Sequence, residues 1–149
     1  TQAPAAPLHV ELKNGAGASV GHAMVSEAPT GVLMRSEAKG LAPGWHGLHF
    51  HEKADCSKSD FTSAVAHVHG TAAAVHGLLN PKANDLGDLP NVHAGQDGTV
   101  SAEVFSALVT LKGLQDADGS AVVIHANPDD HMAQPIGGAG PRVACGEIK

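Results

Sequence analysis

The sequence sets two histidines one residue apart in His49-Phe50-His51. On an extended strand such side chains share a face and stand about 7 Å apart, close enough to hold one metal ion. Imidazole serves zinc and copper alike, so the pair predicts a metal site, with two surface histidines on one strand as the alternative. His125 ends the apolar run Val122-Val123-Ile124 beside an irregular stretch and is a candidate third ligand. His67 and His76, followed by Asp88, add imidazoles and a carboxylate, a combination that suits zinc. Asp129, after Pro128, reads either as a carboxylate orienting a ligand histidine or as a turn residue. His46 has the opposite strand parity, so in a regular strand it packs into the core while His49 and His51 face outward.

Composition supports this reading. The 11 His outnumber the 9 Lys and Arg together, with no Tyr, one Trp and three Phe. A chain so poor in aromatic groups, with a net charge of −6, has little with which to stack bases or hold a polyanion, which excludes nucleic acid as a partner. No apolar run reaches the length of a membrane-spanning helix, so no membrane span is expected. A length of 149 residues with 42% apolar content predicts a single folded domain over residues 1–149. Thr1 to Pro7 carries neither the basic nor the apolar region of a signal peptide and reads as a short flexible leader. Cys56 and Cys145 are the only cysteines, free to form one bridge or to stay as two thiols. A bridge would close a loop of about 90 residues, worth about 4–5 kcal/mol in the chain-entropy model, and would point to an oxidising compartment.

The elements that must position these groups read as short strands bounded by Gly, Pro and Asn. Leu8 to Leu12, Ser19 to Ser26, Gly31 to Ser36, Trp45 to His51, Thr99 to Phe105, Leu108 to Leu111, Ala121 to His125 and Arg142 to Ile148 are the candidates. Eight strands with turn signals between them predict an all-β sandwich or barrel. Ser57 to Val65 could hold a helical turn. Glu52 to Gly98 and Ala126 to Pro141 form two long irregular loops, and segments of that kind inside a compact domain are usually functional.

The run Pro43-Gly44-Trp45-His46-Gly47-Leu48-His49-Phe50-His51-Glu52 resembles the copper-ligand signature of copper,zinc superoxide dismutases, in particular the bacterial branch. Phe61-Thr62-Ser63-Ala64 ahead of His67, Gly87-Asp88-Leu89-Pro90-Asn91, Ile124-His125 and Gly140-Pro141-Arg142-Val143-Ala144-Cys145-Gly146 continue it in order, from about Val10 to Ile148. The resemblance implies an eight-stranded Greek-key β-barrel that converts superoxide to oxygen and hydrogen peroxide by copper redox cycling. It implies copper on His49, His51, His67 and His125, and zinc on His67, His76 and Asp88, with His67 shared between the two metals. Asp129 would link a copper histidine to a zinc histidine, Arg142 would attract the superoxide anion, and Cys56 and Cys145 would form a disulfide. The family setting is periplasmic or otherwise extracytoplasmic, and a homodimer is one of the assemblies it admits.

The sequence departs from the family at the zinc site. A third histidine is expected three residues before Asp88, and Asp85 stands there. Either Asp85 completes a site of two His and two Asp, or it turns to solvent and zinc is held weakly or not at all, with His69 and His93 as substitutes. Val65-Ala66 occupies the place where Gly-Gly commonly precedes the bridging histidine. His9, His22 and His131 have no family role and read as exposed residues. The competing functions are a periplasmic copper- or zinc-binding protein on the same fold without dismutase activity, and a zinc hydrolase, which would have no use for Arg142 beside a fourth histidine.

Overall fold

The computed structural model describes residues 6–149; residues 1–5 of the expected leader lie outside the described residues. The chain folds as β1 (Leu8–Lys13), β2 (Ser19–Ala28), β3 (Gly31–Ala38), β4 (Gly44–His46), β5 (Leu48–His51), β6 (Val92–Ala94), β7 (Val100–Ser106), β8 (Ser120–His125) and β9 (Arg142–Ile148). A short helix α1 (Leu111–Leu114) precedes β8, and a single 3-10 turn spans Thr62–Ala64, inside the segment expected to hold a helical turn. The strands pair antiparallel in the order β4-β6-β7-β3-β2-β1-β9-β8-β5, a nearly closed barrel. β1 and β2 form a hairpin through Asn14-Gly15, with the Asn14 side-chain oxygen accepting from the Ala16 and Ala18 amides.

The barrel has nine strands, which corrects the eight expected. The single strand read over Trp45 to His51 is broken at Gly47 into β4 and β5, and these lie at opposite ends of the sheet. Gly47 joins the two ends: its amide donates to the Asn127 carbonyl (2.9 Å) and its carbonyl accepts from the His125 amide (2.8 Å). A Cβ at Gly47 would stand 2.8 Å from that of Ala139, so only glycine fits where the barrel closes. Val92–Ala94 adds a strand too short to show a pattern. Leu108 to Leu111 is not a strand; Thr110 caps α1 by accepting from the Gly113 amide, a local bond that favours a helical turn.

Aliphatic side chains fill the barrel, as the scarcity of aromatics requires, with Leu12, Met34, Leu48, Leu89, Ile124 and Ile148 fully buried beside Phe50. β8 is buried along its whole length because both faces are covered. Val122 and Ile124 point into the barrel, while Ala121 and Val123 pack outside it against Phe61, Ala64 and Cys145. β5 repeats the arrangement, with Leu48 and Phe50 inside and His49 and His51 on the outer face. That outer face is not open to solvent, which excludes the alternative of two surface histidines: both are fully buried beneath the long loops.

Cys56 and Cys145 are bonded, with Cα atoms 5.8 Å apart and 89 residues of separation, so the first long loop is tied to β9. Replacing both cysteines by serine is expected to lower the unfolding free energy by about 4 kcal/mol through the longer reach of the unfolded chain. Urea unfolding of the metal-free protein measures it, and an unchanged midpoint would contradict it.

Candidate metal centre

β5 ends the sheet, so its outer edge needs hydrogen-bond partners. The first long loop supplies them. The Phe50 amide donates to the Gly87 carbonyl, the Val68 amide to the Phe50 carbonyl and the Glu52 amide to the Ala66 carbonyl, each at 2.9 Å. These bonds set Asp88 opposite His49 and His67 opposite His51. β8 delivers His125 from the other side of β5. A register shift between Ile124 and His125 then pairs His125 with Arg142 at the start of β9.

Four imidazoles converge as a result. His49, His51, His67 and His125 are all buried and present ring nitrogens within 4.8 Å of one another. In each ring one nitrogen donates to an oxygen. His49 Nε2 donates to Asp129 Oδ2 (2.7 Å), His51 Nδ1 to the Val65 carbonyl (2.8 Å), His67 Nδ1 to Asp85 Oδ2 (2.6 Å) and His125 Nδ1 to the Gly140 carbonyl (3.0 Å). The other nitrogens, His49 Nδ1 and the Nε2 atoms of His51, His67 and His125, are buried with no partner. A buried polar atom without a partner is costly, and four aimed at one point fit a metal ion.

Burial sets the protonation of three of these rings. It pushes His49 down to about 3 and His125 down to about 4, and it takes His51 well below its ordinary value. The bond to Asp129 opposes the shift at His49 without reversing it. His49, His51 and His125 are therefore neutral at pH 7, the form that binds metals.

A second donor set lies on the far side of His67. Its Nδ1 and that of His76 meet Asp85 Oδ2 and Asp88 Oδ1: His67 to Asp85 is 2.6 Å, His76 to Asp88 2.5 Å, His76 to Asp85 3.4 Å and His67 to Asp88 3.9 Å. Tetrahedral zinc with bonds of about 2.0–2.1 Å would space its donors by about 3.4 Å, the middle of that range. Asp85 is buried and turned inward, so the solvent-facing reading of Asp85 is not what the structure adopts. His49 also lies within 4.8 Å of His67, His76 and Asp88. Its Nε2 is engaged by Asp129 and its Nδ1 belongs to the first group, which leaves Asp85 as the better fourth donor. His69 is exposed against Glu52 and His93 is exposed against the Trp45 ring, so neither substitute reaches the site.

His76 shows how anionic this second set is. Burial alone would lower its pKa, but bonds to Asp129, Asp85 and Asp88 outweigh it and raise His76 to about 11. Burial likewise pushes Asp85 and Asp129 up, and the histidine bonds still hold both well below the usual carboxylate range. Three carboxylates around one imidazole call for a cation.

Asp129 joins the two groups, with Oδ2 on His49 Nε2 and Oδ1 on His76 Nε2 (2.9 Å). It is fixed in turn by Asn91, whose side chain accepts from the Asp129 amide and donates to its carbonyl, both at 2.9 Å. A side chain at Gly137 would collide with the Asp129 carboxylate, and its φ of 64° favours glycine as well. Sequence reasoning missed Asn91 and Gln134, which exchanges hydrogen bonds with the His76 backbone. An Asn or Gln has no spacing signal of its own. His131 is half-buried and leans on Asp129 Oδ2 at 3.8 Å, unlike the exposed loop residue expected. His46 is buried as expected, its ring nitrogens set against the His125 and Ala42 carbonyls at 2.8 and 2.7 Å.

Arg142 is half-buried in a cleft of about 300 Å³ shared with His51 and His67. Its guanidinium donates to the Phe61 and Val65 carbonyls, each at 2.6 Å. The Val65 carbonyl therefore accepts from both Arg142 and His51.

Residues 19–148 match the family Copper/zinc superoxide dismutase (SODC). The chain is 62% identical to a superoxide dismutase [Cu-Zn] of Caulobacter vibrioides, over 93% of this chain and 83% of the relative. A second relative, superoxide dismutase [Cu-Zn] 2 of Aquifex aeolicus, is 40% identical over 95% and 85% of the two chains. Among solved structures, an SOD-like protein from Bacillus subtilis superposes with a TM-score of 0.86 at 34% identity, covering 95% of this chain and 97% of that one. Cu/Zn superoxide dismutase from Brucella abortus superposes with a TM-score of 0.80 at 29% identity, covering 96% and 99%. With the match running across its two donor groups and nearly its whole length, the chain belongs to the copper/zinc superoxide dismutase family.

Proposed function

We propose that this chain is a superoxide dismutase, with copper on His49, His51, His67 and His125 and zinc on His67, His76, Asp88 and Asp85. The observation that carries the reading is the set of four buried, partnerless imidazole nitrogens aimed at one point, with His67 reaching the second donor set through its other nitrogen. When bound, copper would supply the Cu(II)/Cu(I) couple by which one superoxide is oxidised to oxygen and the next is reduced, with two protons, to hydrogen peroxide. Zinc has no redox chemistry and serves on the His67 side as a charge and an anchor.

The chain supplies the remainder. Arg142 offers the positive charge in the cleft beside His51 and His67, and it must act against a net charge of −6 on the whole molecule. Two backbone carbonyls fix its guanidinium, so an arriving anion meets an oriented cation. His67 would present Nε2 to copper and Nδ1 to the Asp85 side, and Nε2 is the atom through which it would hand a proton to the product. His49 and His76 are kept in orientation by the one carboxylate of Asp129. The whole chain serves this one centre as a single domain. The disulfide suits an extracytoplasmic setting, and the periplasm fits the bacterial relatives.

The assay is superoxide removal by protein loaded with copper, with and without zinc. Activity is expected, and its absence under every loading would leave a metal-binding protein instead. Arg142→Gln should lower kcat/KM by roughly tenfold to a hundredfold at unchanged copper content, from lost steering and orientation.

Asp85 is tested by Asp85→Ala, which should cut zinc retention while copper binding survives, and by Asp85→His, which should restore it. Equal zinc content in all three proteins, measured by elemental analysis after dialysis, would remove Asp85 from the ligand set.

The pKa shifts also set the pH profile of the metal-free protein. His49 and His125, lowered to about 3 and about 4 from 6.5, bind protons more readily unfolded than folded, so their contribution is complete above pH 6.5 and is lost as pH falls. His76, raised from 6.5 to about 11, acts in the opposite sense: its contribution is complete below pH 6.5 and is lost as pH rises. Metal-free stability is expected to peak near neutrality and fall on both sides. Urea midpoints that climb steadily through the alkaline range would contradict the assignment of His76.

A further inference from the structure

Val65 lines the cleft, at a position where the family resemblance leads one to expect glycine. Its backbone lies at φ 58°, ψ −140°, a region that β-branched residues almost never occupy. The conformation is held from every side. The Val65 amide donates to the Thr62 carbonyl (3.0 Å), and its carbonyl accepts from His51 Nδ1 and Arg142 Nη2. Val65 is 40% exposed and lines the cleft together with His51, His67 and Arg142. Pro135 and Ile136 from the second long loop line the same cleft, with the Asp85 carboxylate beside the histidines, and Arg142 is the one Lys or Arg among the described residues that line it.

We propose that the Val65 side chain is a size filter, which narrows the approach to the His51–His67 group so that a diatomic anion passes and bulkier anions are held out. The proposal rests on the copper reading of the preceding subsection. It explains why a strained valine is tolerated where glycine would be relaxed: the side chain, and not only the carbonyl, is in use. Val65 is a specificity-determining residue here, not a catalytic one, because it acts by occupying space.

Two substitutions separate space from strain. Val65→Ala opens the cleft and keeps the Cβ that strains the backbone. Val65→Gly opens it further and relieves the strain. In the copper-loaded full chain, both variants are expected to lose copper to EDTA about tenfold faster than the parent at matched EDTA concentration, the scale on which a methyl group or two discriminates in a fitted site. Azide, small enough to pass, should gain far less in its rate of binding to copper, followed by its visible absorption. Only Val65→Gly should raise the melting temperature of the metal-free protein, by roughly 3 °C. Copper loss at the parental rate in both variants, acceleration in Val65→Gly alone, or equal gains for azide and EDTA would each overturn the filter. A parent protein whose copper spectrum lacks nitrogen coordination would instead overturn the copper site, and the filter with it.

Discussion

Strand β5 terminates the sheet, and the backbone groups along its outer edge have no further strand to bond. The first long loop meets that demand at Phe50 and Glu52, and in doing so it sets His67 opposite His51 and Asp88 opposite His49. Edge satisfaction and ligand assembly are thus one event. The rest of the architecture guards it. Gly47 lets the barrel close so that β8 can bring His125 alongside, and the disulfide ties the same loop to the strand that carries Arg142.

Burial then sorts the histidines by their neighbours. Where an imidazole is buried beside other imidazoles with carbonyls or a single carboxylate for partners, desolvation wins and the ring stays neutral, as at His49, His51 and His125. Where it is buried among carboxylates, as at His76, the carboxylates win and the ring is charged without a metal. The two donor groups differ in charge for this reason, although they share His67. One offers lone pairs and the other offers negative charge, and Asp85 in place of an imidazole deepens that contrast.

Much of the centre was legible in the sequence because strand periodicity is strict. His49 and His51 share one face of β5, and Leu48 and Phe50 take the other. What the pattern could not carry was the cover over that face. Nothing in the strand pattern shows what covers the outward histidines, and it is the loop, with no period of its own, that buries them. The strand count failed at a related point. Leu48 to His51 looks continuous with Trp45, and the break lies in a single glycine whose role depends on Ala139 and Asn127, far away in the chain. Leu108 to Leu111 failed because a short apolar run has no length by which to tell a strand from a helical turn. Asn91 and Gln134 were silent because their partners are backbone groups in another loop.

Asp129 and His67 connect the same two donor groups by separate routes, one through a carboxylate and one through a ring. A single connection would leave the groups able to pivot about it. Two connections, with Asn91 bracing one of them, make a triangulated frame in which neither group can rotate without distorting the other. The outer loops are mechanically part of the barrel for that reason, despite having almost no regular secondary structure.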